Sequence, residues 1–495
     1  MIYSKNKTVL LISTLFLLAS FGCKKQLDIN QDPNNPAVAN GTPQVVFPAG
    51  VFGTTAAVGG QYAILGAIWG QYTTQSALAN QYKTIDQYQI SNQDINGGYT
   101  LLFTNGLKNY QAVIDKSKAT QDWNFFLMGT VMKAYSAEVL VDLYDQIPYF
   151  EALQGIANLT PHFDDGYTIY LDLLKQLDTA LSKPVNSAAL TPAQKASDLL
   201  FGGNMDKWTR FGNSMELKMY LRMVYKKPTD AQAGIQKLYA RAAKFLDVDA
   251  QITGFTDVPG KDNPMFEQNE RQLNTPDNLR ASKTFASYLI ANNDPRAVTF
   301  FGTSAPVSIN QADFGNTNQA LQNIYKSASI FKEAPSDPVV FLSLPESDFM
   351  QAEALERYFG GVGAKAMYDA GVQASFSETG TGSAATFTGA GGVYAYPVAG
   401  TLEQKIEAIS TQKWVSCAYG VHFLEGFFEK NRTGYPRTST VYSTSTSYVP
   451  GQFVIPAGAN YPTLAKRLVF PFVERRSNLN TPTEVPLTTP VWWAQ

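Results

Sequence analysis

Carboxylates are the side chains best placed to do chemistry in this sequence. Glu138, Asp142 and Asp145 follow one another at spacings of four and three, Glu353 and Glu356 at three, and Glu425 and Glu429 at four. Two carboxyls flanking a glycosidic bond, one an acid and the other a base or nucleophile, are nearly all that a glycosidase needs. On a helix these spacings also put acids on one face, where ion pairing or solvation is the ordinary outcome. No pair sits in an apolar run that would raise one pKa and separate acid from base. The expectation is a non-catalytic protein, with a surface glycosidase using a carboxylate pair as the weaker alternative.

Other catalytic parts are scarce. His162 and His422 are the only histidines and stand in no ligand spacing, so zinc sites and Ser-His or Cys-His catalysis lack their components. Cys417, inside WVSCAYGVHFLEGF, reads as a small buried hydrophobe. Asp28-x-Asn30-x-Asp32 imitates a calcium loop, but Pro33 and Ala39 stand where the turn glycine and the bidentate glutamate belong. The run from Gly380 fits GxGxxA, yet a helical pattern precedes it where a dinucleotide site needs a strand. GGVGAK, Gly360 to Lys365, reads as a hairpin turn. No cofactor and no metal are expected.

A binding chemistry is better represented. Tyr62, Trp69, Tyr72, Tyr82, Tyr88 and Tyr99 are interleaved with amides such as Gln71, Gln75, Gln87, Gln89, Gln93 and Asn96. Rings stack on the apolar faces of a pyranose, and amides both donate to and accept from hydroxyls. Trp69, Tyr72, Tyr82 and Tyr88 are the candidate stacking rings, with Gln93 and Asn96 as candidate hydrogen-bonding partners. Tyr82 and Tyr88 lie in a glutamine-rich run without an apolar stripe, are expected to be exposed, and rank first. Trp69 and Tyr72 can share one helix face and suit core packing equally well.

One further residue suits covalent modification. Lys5 and Lys7 precede the apolar run Val9 to Phe21, and Gly22 then precedes Cys23. The run is short of the 20 or so apolar residues that span a bilayer but suits a secretory signal. The small residue before Cys23 suits a lipoprotein signal peptidase, although Ser20 stands where leucine is usual. Cys23 is expected to carry the lipid, with 1–22 as signal peptide, 23–43 as lipidated N-terminus and tether, and 44–495 as one binding domain. More than one acyl chain makes such attachment stable.

These groups need a scaffold, and composition supplies one. Hydrophobic residues are 44% and charged residues 16%, enough apolar surface for a large core and incompatible with global disorder. Without the signal the net charge is near −4. With no basic block, nucleic acid is not expected as a partner. Periodicity predicts helices over 125–147, stopped by Pro148, over 170–181, over 206–226 and over 231–246, the last with alanines on its packing side. Residues 346–358 and 364–376 read as a helical hairpin, with Ala352 and Ala354 facing Ala366, Ala370 and Ala374 in the manner of a TPR pair. Segments 255–345, 377–400 and 438–453 read as long ordered loops or strand pairs on one side, where loops of that length are usually functional.

Taken in order, CKKQLDINQDPNNP, IWGQY (68–72), NGGYTLLFTNGLKNYQAVI (96–114), WTRFGNSMELKMYLRM (208–223), QKWVSCAYGVHFLEGFFEKNRTGYP (412–436) and RLVFPFVERRSNLN (467–480) span the chain. Together they resemble the SusD/RagB family of nutrient-binding outer-membrane lipoproteins. That resemblance implies a mainly α fold of four TPR-like units carrying a loop-rich binding side, and no catalysis. It implies a surface-exposed, lipid-anchored protein of the cell outer membrane that binds oligosaccharide and hands it to a SusC-like TonB-dependent transporter. Peptide uptake in the manner of RagB is the alternative. The ligand residues named above rest on the aromatic–amide pattern and not on the resemblance.

Overall fold

Helix α1 (Pro43–Ala56) opens a computed structural model that describes residues 41–495. Cys23, the signal peptide and nearly all of the tether therefore lie outside the described residues. Pro43 stands in the first turn of α1, where a missing N–H costs nothing. A π-turn at Ala57–Gln61 joins α1 to α2 (Tyr62–Trp69). The stretch Pro43–Trp69 is apolar and long enough to cross a bilayer by composition, but every residue of α2 is buried inside the protein. It is a core helix.

Chain direction then turns through β1 (Thr73–Gln75) toward the first helical hairpin. Helices α3 (Lys108–Thr120) and α4 (Trp123–Tyr144) are separated by two residues. Gln121 takes a left-handed φ of 56°, and the Asp122 carboxylate accepts from Phe125 N–H as the cap of α4. All of α4 is buried except Trp123 and Lys133, so the apolar stripe expected there is apolar on every side, as befits a central helix. It stops at Tyr144 and not at Pro148. Ile147 and Pro148 belong instead to β2 (Gln146–Pro148), which pairs antiparallel with β3 (Phe163–Asp165).

Helix α5 (Gly166–Leu181) follows, capped by Asp165, and then α6 (Met205–Met223), capped by Asn204. Helix α7 (Pro228–Ala240) begins at its proline and ends six residues before the expected 246. Its buried side is Ala231, Gly234, Ile235 and Leu238, only one of them alanine. Beyond β4 (Ala250–Ile252), the segment expected to be loop contains β5 (Leu279–Ala281), α8 (Lys283–Ala291), α9 (Gln319–Lys326) and β6 (Val339–Leu342). β5 pairs with β1 and β6 with β4. These short pairs fasten the excursion to the helices.

The hairpin α10 (Leu344–Tyr358) and α11 (Ala364–Glu378) turns through Gly360, Gly361 and Gly363, with φ of 65°, 75° and 84°. L-residues rarely adopt such angles, so the glycines make this turn possible. Ala352 and Ala354 are buried as expected. The opposing seam is different: Ala366 is exposed and Ala370 and Ala374 are half-buried, whereas Tyr368, Gly371, Val372, Ser375 and Phe376 face inward. A Cβ on Gly371 would stand 2.8 Å from the Phe349 ring, so this glycine, not the alanines, permits the close approach. Helices α12 (Leu402–Ser416) and α13 (Phe423–Thr433) complete the scaffold, α12 beginning with a Thr401–Gln404 capping box. The result is a mainly α, TPR-like assembly. One apolar core runs from Val46 to Ala494, with a second cluster around Phe349 and Tyr368.

Candidate functional site

The carboxylates converge, but in the interior. Glu138 and Asp142 on α4, Glu346 and Glu353 on α10, and Glu425 and Glu429 on α13 are each at most 3% exposed. They meet Lys218 and Arg222 of α6, Lys413 of α12 and Arg432 of α13. Lys218 lies 2.8 Å from Glu425, Lys413 3.1 Å from Glu429, Arg222 3.0 Å from Asp142 and Arg432 2.5 Å from Glu353. His422 Nε2 lies 2.8 Å from Glu346. The paired cations hold Glu425 and Glu429 below the usual carboxylate range against the opposing effect of burial, while burial raises Glu138. These pairs join five helices and open to no substrate. Glu356 stands apart, half-buried and bonded to Lys405 and Tyr396. Asp145 binds Trp492 N–H and pairs with Arg467.

The aromatic–amide segment also folds inward. Trp69 is 2%, Tyr72 0%, Tyr82 6% and Tyr88 3% exposed, which overturns the expected exposure of Tyr82 and Tyr88. Trp69 packs edge-on to Tyr88 at 5.6 Å and donates from Nε1 to Ile85 O. Tyr72 stacks on Trp414 at 5.4 Å and donates to its carbonyl at 2.7 Å. The glutamines fasten loops. Gln71 donates to Val454 O at 2.6 Å and accepts from Val454 N–H and the Thr284 hydroxyl. Gln89 donates to Gly458 O, and Gln75 Oε1 accepts from Tyr82 N–H. Gln71 can be interior because its amide finds partners brought from far along the chain, and Gln75 because it bonds within its own loop, while Gln89 fastens its loop from the exposed side.

Asp86, which the sequence did not single out, organises this face. Its fully buried carboxylate accepts from the Thr74 hydroxyl at 2.6 Å, Gln75 N–H at 2.8 Å and Gln311 Nε2 at 2.6 Å. Burial outweighs these bonds and pushes the carboxyl up to about 6. Gln311 in turn accepts at its main-chain carbonyl from the Tyr442 hydroxyl, so three distant segments share one knot. What remains exposed is a rim where the 77–83 loop meets 313–326, joined by Ala77 and Leu321 packing against the small cluster of Ile309, Tyr325 and Ala328 and by Lys83 over the Phe314 ring at 5.0 Å. Asn80, Gln81, Asn318, Gln319 and Asn323 are exposed there beside Leu78 and Ile324. Gln93 is exposed on a separate loop. Asn96 is half-buried and committed, donating to Gln93 O and accepting from Phe472 N–H. Trp69 and Tyr88 pack on each other, Tyr72 and Tyr82 are buried in the same apolar core, and Gln93 and Asn96 lie on a loop separate from the amide rim.

A family model described as SusD-like, "Starch-binding associating with outer membrane", matches residues 61–462. The chain belongs to the SusD-like family. Outer-membrane association and glycan binding in nutrient uptake are that family's character. Solved structures repeat the fold. A SusD homologue from Bacteroides uniformis has a TM-score of 0.71 at 20% identity, covering 93% of this chain and 100% of that one. A chitin-binding SusD homologue from Flavobacterium johnsoniae has a TM-score of 0.68 at 21% identity, covering 91% and 98%. An outer-membrane protein of Bacteroides vulgatus described as involved in nutrient binding has a TM-score of 0.71 at 17% identity, covering 92% and 100%. No curated protein matches this SusD-like chain.

Proposed function

We propose that this SusD-like protein is a non-catalytic glycan receptor, tethered to the outer face of the outer membrane by lipid on Cys23, that hands oligosaccharide to a TonB-dependent transporter. The observation that carries the reading is the family match across residues 61–462. The signal-like run before Cys23 supports the anchor. The rim of exposed amides supports a neutral, hydroxyl-rich ligand, because amides satisfy hydroxyls as donors and acceptors without a charge to desolvate. Two related folds are described as chitin-binding, so β-linked N-acetylated oligomers join α-glucans as first ligands to try. The mature protein is titrated with maltooligosaccharides, chitooligosaccharides and neutral peptides while products are followed by chromatography. Saturable sugar binding without turnover is expected. Peptide binding alone, or sustained product formation, overturns the reading. Replacing Cys23 with alanine is expected to release the protein from the membrane fraction, and continued attachment would overturn the anchor.

A further inference from the structure

Aromatic surface is scarce outside the core. Among the described residues every Trp and Tyr is buried or half-buried, and the only exposed rings are Phe52, Phe150 and Phe472. Phe150, 49% exposed, lines a cavity of about 340 Å³ between α3, α4, α5 and the loop that leaves β2. Its backbone is fastened. The Asp164 carboxylate of β3 accepts from Tyr149 N–H at 3.0 Å and from Phe150 N–H at 2.9 Å. The Phe150 ring stands edge-on to that of Tyr149 at 5.0 Å. Phe103, Leu107 and Leu153 extend the apolar wall.

Polar groups converge on the same cavity. The Tyr149 hydroxyl donates to Asp172 Oδ2 at 2.8 Å and accepts from Gln176 Nε2 at 2.9 Å, and Gln176 Nε2 reaches Asp172 as well. Gln176 Oε1 accepts from Lys133 Nζ at 3.2 Å, and that ammonium lies 5.2 Å from the centre of the Tyr149 ring. One amide thus stands between a cation and an anion. Among the described residues Lys133 makes this one hydrogen bond and no ion pair, so most of its donor capacity is unspent. Burial lowers its ammonium against the pull of Asp172 and Asp115. Asp172 Oδ1 accepts from no donor among the described residues, yet it is not one of the sealed oxygens and stays open to solvent.

We propose that this cavity is a subsite for a neutral pyranose with vicinal hydroxyls, separate from the amide rim. The exposed face of Phe150 stacks on the apolar face of the sugar. Lys133 donates to one hydroxyl and Asp172 Oδ1 accepts from its neighbour, two charge-assisted bonds that an adjacent pair of hydroxyls satisfies together. The opposite charges on either side of Gln176 set the class of ligand. A sugar carboxylate would meet Asp172 and a sugar ammonium would meet Lys133, whereas a neutral sugar meets no like charge. The volume lies at the small end of ligand pockets, roughly 300–1,000 Å³, and suits one or two sugar residues. The inference rests on the glycan-receptor reading for its class of ligand and adds to it a second place of contact.

The mature protein, Phe150→Ala, Asp172→Asn and the rim variant Gln81→Ala are titrated calorimetrically with four tetramers. Maltotetraose and cellotetraose carry vicinal hydroxyls on every residue. Fully N-acetylated chitotetraose keeps them only at its non-reducing end, and tetragalacturonate adds carboxylates. At least one of the two glucans is expected to bind the parent protein. Phe150→Ala and Asp172→Asn should each weaken that binding about tenfold, through loss of the stacking ring or of a charge-assisted bond. Phe150→Ala should leave the melting temperature unchanged, since the ring is exposed. Chitotetraose and tetragalacturonate should lose less than about threefold in the same variants. Unchanged glucan affinity in both variants overturns the subsite, as does an equal loss for either control sugar or a large fall in melting temperature for Phe150→Ala. Binding of chitotetraose without either glucan, or glucan binding that only Gln81→Ala weakens, overturns the subsite and leaves the receptor reading standing. Failure of every sugar to bind overturns both.

Discussion

Arg222 and Glu425, 203 residues apart, meet through a forked pair of hydrogen bonds at 2.9 and 2.8 Å, in surroundings where neither side chain exceeds 3% exposure. Arg222 also holds Asp142 at 3.0 Å, so one guanidinium links α4, α6 and α13. Planar, always charged and rich in donors, arginine suits such a junction better than lysine does.

Arg222→Met is accordingly expected to destabilise the fold by about 3–5 kcal/mol, because Asp142 loses its cation and Glu425 keeps only Lys218 and Lys413. Adding Glu425→Gln should cost less than the sum of the single changes, since the interaction between the two residues is lost only once. Denaturant unfolding of the two single variants and the double variant measures this, and strict additivity would contradict the linkage.

The knot at Asp86 predicts a pH dependence. Its carboxyl is raised from 3.8 to about 6 in the folded state, so between these values the folded protein holds a proton that the unfolded chain has released. Stability from this group is therefore fully present below about pH 4 and is lost as the pH rises through about 6, a change of about 3 kcal/mol. Asp86→Asn lacks that titration. Relative to the variant, the parent protein should lose stability between pH 4 and pH 6.5, read as a change in the difference between their denaturation midpoints.

The rings and the rim separate stability from binding. Tyr88→Ala and Tyr82→Ala each empty a buried site and are expected to cost about 3–5 kcal/mol. Gln81→Ala lies on the exposed rim and should stay within about 0.5 kcal/mol of the parent while reducing glycan affinity. Melting curves and titration on the same three variants test both halves.

At the α10–α11 seam, Gly371→Ala places a methyl 2.8 Å from the Phe349 ring. Overpacking of this kind costs about 1–3 kcal/mol, whereas Ala366→Gly on the exposed side of α11 should cost only the helix-propensity difference of about 1 kcal/mol. Unfolding of both variants by urea gives the comparison.

Cys417 is fully buried, and burial raises its thiol well above the ordinary value. It should resist alkylation in the native protein and react fully in denaturant, as followed by mass spectrometry.

What the sequence by itself determined was local. Periods of three and four residues and proline positions placed α4, α5, α6 and the α10–α11 hairpin to within a few residues, because backbone hydrogen bonding and capping act over one or two turns. It determined the family as well, through motifs spread along the chain, and the scarcity of histidine and cysteine. The tertiary structure alone decided which polar residues are inside. Gln71 reads as a surface amide until Val454, 383 residues away, supplies both a donor and an acceptor. Glu138 and Glu425 read as a solvated face until α6 brings Lys218 between them. Tyr82 and Tyr88 read as exposed because their neighbours are polar, yet Asn80, Gln81 and Gln89 stay at the surface while the rings between them turn into the core, Tyr88 against Trp69. Burial of a polar group depends on partners that arrive from distant segments, and no local pattern encodes which segment will arrive.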